Sequence, residues 1–205
     1  MIVGVPKETA ALERRVSVVP ETVPKFGAGF SVLVEKGAGD SAGFPDSDYT
    51  AAGATIASDQ RSLYAQADII LKVAPLSPDE ASLVKEGSVT ISFLSPLANL
   101  ETVKKLASRK VTAFAMELVP RISRAQPMDA LSSQANIAGY KAVILAADTV
   151  PKLFPLMMTA AGTISPAKVF ILGAGVAGLQ AIATAKRLGA TEAIIVYRRT
   201  RDRMP

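Results

Sequence analysis

The chain has 205 residues, 49% of them hydrophobic and 20% charged, which excludes a disordered chain and allows one sizeable domain and part of another. It holds no Cys and no His, so a disulfide framework, a thiolate nucleophile, a Cys-bound metal and the commonest general acid/base are all excluded. Net charge is +5, but the last eight residues hold four Arg and one Asp and so carry +3 of it; few aromatics are present to stack on bases, and nucleic acid is a poor match as a partner.

Short apolar runs alternate with helical patterns along the chain. Strands are expected at Ile2–Val5, Ser31–Glu35, Asp68–Val73, Ser88–Leu94, Val111–Glu117, Lys168–Leu172 and Ala193–Tyr197. Helical segments are expected near Pro20–Phe26, Asp46–Ala52, Gln60–Gln66, Pro78–Lys85 and Leu100–Ser108. Continuous apolar strands alternating with helices predict an α/β fold, with a parallel sheet covered on both faces. The longest helical pattern runs from about Ser132 to Asp148, with a second short helix expected around Leu153–Ala161. The apolar stretch from Ala142 to Ala161 is broken by Asp148, Pro151, Lys152 and Pro155, and reads as buried helix rather than a membrane span. Met1–Pro6 lacks the basic start and cleavage site of a signal peptide, so a soluble chain is expected. The expected layout is a Rossmann-like first domain at 1–135, connecting helices at 136–165, and the start of a second Rossmann dinucleotide-binding domain at 166–205.

Lys168-Val169-Phe170-Ile171-Leu172 reads as a strand, and Gly173-Ala174-Gly175-Val176-Ala177-Gly178 follows at once. Leu179, Ile182, Ala183 and Lys186 then continue as a helix that ends near Gly189. Strand, glycines and helix in that order are the context a dinucleotide-binding turn needs. Gly173 suits the tight turn, Gly175 lets the backbone approach a pyrophosphate, and Gly178 permits close packing of helix on strand. The helix N-terminus offers N–H groups and partial positive charge to phosphates. A tight turn that binds nothing is the plainer alternative.

A carboxylate normally closes the next strand and holds the ribose 2′-OH of NAD. Here Tyr197, Arg198 and Arg199 stand in that region instead. Their guanidinium groups suit a 2′-phosphate, so NADP(H) is a second candidate ligand of the tail. A solvated basic terminus accounts for them equally well.

Pro120–Gln134 is the densest polar segment and lies between a strand and the long helix, where binding residues tend to sit. A surface loop in which Asp129 or Ser132 caps the helix explains it too.

This loop resembles the signature loop of the NAD(H)-binding domain of proton-translocating nicotinamide nucleotide transhydrogenase, in the wider family that includes alanine dehydrogenase. So do Gly4-Val5-Pro6-Lys7-Glu8-Thr9, Glu13-Arg14-Arg15-Val16, Ala67–Val73 and the stretch from Gly173 to Ala190. The resemblance implies a component that binds NADH and passes hydride to NADP⁺ on a partner domain, coupled to proton movement through a membrane-embedded subunit. It implies a homodimer that is cytoplasmic and peripheral to the membrane without inserting in it. Matched residue by residue, Arg121, Gln126, Asp129 and Ser132 would surround the nicotinamide, with Tyr140 near the same site. Gln126 and Ser132 can hydrogen-bond a carboxamide; Arg121 and Asp129 can hold the loop and supply a fixed field. Arg15 and Lys72 match positions that hold the substrate carboxylate in alanine dehydrogenase, or serve as structural ion-pair residues. The catalytic His of that enzyme would fall near Ser95, and this chain has none, which counts against an amino-acid dehydrogenase. The family's domain is nearly twice as long, so a truncated, non-catalytic fragment is the alternative. Its half-sheet would leave apolar edges exposed. The segment from Gly189 through Tyr197 to Pro205 departs from the family and looks like the NADPH-binding segment of the glutamate synthase small subunit.

Overall fold

The computed structural model describes residues 1–195. The chain divides into two compact units, Met1–Met128 and one that begins at Asp129.

The first unit is a six-stranded sheet, parallel throughout, in the order β3-β2-β1-β4-β5-β6. The strands are β1 (Ile2–Val5), β2 (Ser31–Glu35), β3 (Thr55–Ala57), β4 (Ile69–Leu71), β5 (Val89–Ser92) and β6 (Thr112–Ala115). The helices are α1 (Asp46–Ala51), α2 (Gln60–Gln66), α3 (Pro78–Leu83) and α4 (Leu100–Ser108). Strand order reverses between β1 and β4, as in the doubly wound dinucleotide-binding sheets. Alternation along β2 sends Val32 and Val34 to one face and Leu33 to the other. The first pair joins a core with Val5, Val18 and Tyr49. Leu33 joins a second core with Leu63, Tyr64, Ile70, Leu76 and Leu106. Local signals start the helices: the Asp59 carboxylate accepts from the Ser62 N–H at 2.9 Å ahead of α2, and Ser77 with Glu80 forms a reciprocal capping box on α3. Pro20–Phe26, expected as a helix, is a 3₁₀ segment with Pro24 inside it, where the ring removes a donor.

The second unit opens with α5 (Ala130–Thr149). It is followed by an antiparallel hairpin, β7 (Met157–Thr159) and β8 (Gly162–Ile164), and then by β9 (Lys168–Leu172), α6 (Val176–Arg187) and β10 (Thr191–Ile195). Strands β9 and β10 pair in parallel, from Thr191 opposite Lys168 to Ile195 opposite Leu172. Val143, Phe154, Ala167 and Ala185 form its core. Phe170 and Leu172 of β9 point the other way and are exposed.

The hairpin corrects two expectations. Residues 153–161 are not a helix, and the stretch from Ala142 is buried only in part: Val143 and Phe154 are core residues, while Leu145, Leu153, Leu156 and Met158 are exposed. Pro151 and Pro155 interrupt the helical hydrogen bonds. The chain then reverses at Gly162, whose φ of 134° is unsuited to other residues, and the Thr159 hydroxyl donates to the Gly162 carbonyl at 3.0 Å.

Candidate functional site

The glycine turn joins β9 to α6, and its three glycines are glycine for different reasons. Gly173 has φ 101°, which only glycine adopts without strain. Gly178 has no room for a side chain, because a Cβ there would strike the carbonyl of Gly173. The tightest contact is within the turn, and Ile171 of β9 also lies 3.8 Å from that Cβ position. Gly175 differs from both. Its φ is −76°, open to any residue, and among the described residues a Cβ on it would meet no atom within 4 Å. Nothing in the fold of the turn requires glycine at this position. In dinucleotide-binding turns a glycine here lets the pyrophosphate approach the backbone.

Gly175 is the N-cap residue of α6, and no side chain caps that end. The first intrahelical bond runs from the Leu179 N–H to the Gly175 carbonyl at 2.9 Å. Helix geometry leaves the amides of Val176, Ala177 and Gly178 without intrahelical acceptors, directed at the space in front of Gly175. Ala174 and Gly175 are exposed. The residues present therefore fit a dinucleotide pyrophosphate. Tyr197, Arg198 and Arg199 lie outside the described residues.

The polar loop is split by the unit boundary. Arg121 and Gln126 close the first unit and are exposed, with Ala125 between them buried. The same unit holds an apolar groove of about 540 Å³ lined by Leu94, Phe114, Leu118 and Met128 among others, and neither Arg121 nor Gln126 lines it. Asp129 and Ser132 open the second unit. The Asp129 carboxylate accepts from the Ser132 backbone N–H at 2.9 Å and from its hydroxyl at 2.6 Å. Tyr140 projects from α5 and is half exposed.

At the strand-order reversal of the first unit lies a buried ion cluster around Lys72, an expected ion-pair position whose two carboxylate partners sequence reasoning missed. Lys72, just past β4, lies 3.0 Å from Glu8, which follows β1, and 3.7 Å from Glu80; all three side chains are nearly inaccessible. Glu8 also accepts from the backbone N–H groups of Val73 at 2.5 Å and Ala74 at 3.2 Å. Glu80 accepts from the Tyr64 hydroxyl and from Gln60, both at 3.2 Å. Burial, and then the charge of Glu80, push the Tyr64 phenol far above its ordinary range. Glu117 clamps the neighbouring loop, accepting from the amides of Leu94 and Ser95. Ser95 sits there with φ 45°. Arg15 is paired with Glu13 at 2.6 Å. Both Arg15 and Lys72 are thus held in ion pairs. Open α/β sheets usually take ligands at this crevice; here the chain's own carboxylates fill it. Glu8 stands inside a motif that the sequence singles out, but its partner is 64 residues away and nothing local points to it.

Among the described residues, no group of three His, Cys, Asp or Glu could hold a metal, and no helix is long and apolar enough to cross a membrane.

A doubly wound parallel sheet followed by a strand, an uncapped glycine turn and a helix defines a dinucleotide-binding type of protein. The comparisons with known proteins agree. Residues 4–138 match the family described as "Alanine dehydrogenase/PNT, N-terminal domain", and residues 142–204 match "Alanine dehydrogenase/PNT, C-terminal domain". The chain belongs to the alanine dehydrogenase/PNT family. It is 55% identical over 196 residues to the first part of the NAD(P) transhydrogenase alpha subunit of Rhodospirillum rubrum, covering 93% of this chain and 51% of that protein. Alanine dehydrogenase of Bacillus subtilis is 34% identical, over 95% of this chain and 52% of its own length. The solved transhydrogenase of Sinorhizobium meliloti superposes with a TM-score of 0.93 at 48% identity, covering 97% of this chain and 60% of that one. The chain spans about half the length of these curated relatives.

Proposed function

We propose that this chain is the NAD(H)-binding part of a proton-translocating transhydrogenase, acting with an NADP-binding partner and a membrane-embedded subunit. In this reading the complete enzyme moves hydride from NADH to NADP⁺. The observation that carries it is Gly175: a glycine with ordinary φ and open space around its Cα position, at the uncapped start of a helix. The family and the 55% identity to a transhydrogenase alpha chain support the same reading.

The nicotinamide supplies the hydride chemistry when bound. The chain's own work is binding and orientation. The amides of Val176, Ala177 and Gly178 hold the pyrophosphate. Arg121, Gln126, Asp129 and Ser132 are assigned to the nicotinamide end, with Tyr140 beside them. Such a transfer needs no general base, which suits a chain without His. The chain works as a homodimer peripheral to the membrane, on its cytoplasmic side, and Tyr197, Arg198 and Arg199 set its preference between NADH and NADPH.

Titrating the purified, folded chain with NADH and NADPH while following nicotinamide fluorescence tests the reading. Saturable NADH binding is expected; a folded chain that binds neither nucleotide overturns it. The amino-acid dehydrogenase alternative predicts NADH oxidation dependent on pyruvate and ammonia. No such oxidation is expected, because Lys72 is held by Glu8 and Glu80 and the position near the expected His is Ser95.

A further inference from the structure

Gly139 is a glycine in the interior of α5, where glycine weakens a helix. Its φ is not positive, so the backbone does not require it. The reason lies across the helix pair. A Cβ on Gly139 would run into the backbone carbonyl of Ala177, with the Ala177 Cα 3.0 Å away. Ala177 is the second residue of α6 and part of the glycine turn. With Val143, Gly139 is one of the two buried residues of α5. The two differ in what they hold. Val143 belongs to the apolar core with Phe154, Ala167 and Ala185. Gly139 meets the backbone of the turn itself.

We propose that Gly139 is a positioning residue for the dinucleotide: its missing side chain lets α5 seat against Ala177 and fixes where the amides of Val176, Ala177 and Gly178 point. The proposal rests on the NAD(H)-binding reading above. Adding one methyl group at Gly139 must displace either α5 or the start of α6, because the obstacle is backbone and cannot rotate away. Phosphate-binding amides tolerate little displacement before their hydrogen bonds fail.

The test uses ADP-ribose, which has the pyrophosphate but no nicotinamide ring, so contacts by Tyr140 do not enter. Wild type, Gly139→Ala and Val143→Ala are each titrated, with a thermal melt and an amide NMR spectrum of every variant. Gly139→Ala should bind at least about tenfold more weakly and shift the amide resonances of Val176, Ala177 and Gly178 before ligand is added. Val143→Ala should melt at a lower temperature yet bind within about twofold of wild type. Undiminished binding by Gly139→Ala overturns the proposal. Should that variant not fold, the wild-type chain decides: its Gly139 amide resonance should move on adding ADP-ribose, and a stationary one in the bound protein overturns the proposal equally. A folded wild-type chain that binds neither ADP-ribose nor NADH defeats the underlying reading, and no variant is needed to see it.

Discussion

Asp129 and Ser132 hold each other: one carboxylate oxygen accepts from the Ser132 amide at 2.9 Å, the other from its hydroxyl at 2.6 Å. The pair starts α5 and at the same time occupies two positions assigned to the nicotinamide. Asp129→Ala removes the cap and should cost about 1 kcal/mol of stability. Ser132→Ala keeps the amide bond and should cost less. Both changes should weaken NADH binding if the hydroxyl reaches the ligand. Urea unfolding set beside fluorescence titration separates the two effects, and an affinity untouched by Ser132→Ala would remove that residue from the site.

Gly175 and Gly178 should respond in opposite ways to the same substitution. Gly175→Ala meets no atom of the described residues; the entropy it removes from the unfolded chain offsets a poorer N-cap, and the net change in stability should stay within about 1 kcal/mol. Its NADH affinity should nevertheless fall by about tenfold or more. Gly178→Ala must displace the Gly173 carbonyl and should cost about 1–3 kcal/mol. Melting curves and titrations on the two variants check this, and normal NADH affinity in Gly175→Ala would contradict the assignment of the turn.

Lys72 is the counterion of two buried carboxylates. Lys72→Met leaves both without it and should destabilise the first unit by about 3–5 kcal/mol. Adding Glu8→Gln and Glu80→Gln in the same chain should recover much of the loss, since the charges go with their partner. A triple variant as unstable as the single one would show that the cluster matters for its hydrogen bonds rather than its charge.

Glu13 gives a pH signature. The hydrogen bonds from Arg15, at 2.8 Å from Nε and 2.6 Å from Nη2, hold its carboxyl down to about 2, against an ordinary 4.5. A depressed folded pKa stabilises above the ordinary value, and that contribution disappears as the pH falls from 4.5 towards 2. Carbon NMR titration of Glu13 should show the low midpoint, and Arg15→Gln should return it to the ordinary range.

Much of the chain is readable locally. Five of the six strands of the first unit follow from their apolar runs, and β9, the glycine turn and α6 from glycine spacing beside a helical pattern, because each depends on neighbours in sequence; β3, three residues at the sheet edge with Thr55 at its start, does not stand out as a run and is not among the expected strands. What depends on distant partners is illegible. Lys72 meets Glu8 only because β1 and β4 lie side by side at the strand-order reversal. Gly139 looks like a defect in a helix until Ala177 is placed against it. The hairpin at Met157–Ile164 reads as helix in sequence because its apolar composition is neutral between the two, and the decision falls to Gly162.

The open space at Gly175 also separates two kinds of selection within six residues of chain. A library screened only for folded protein should retain Gly173 and Gly178 and let Gly175 drift. A lineage that gave up its nucleotide would record the loss at Gly175 first, while still folding as its relatives do.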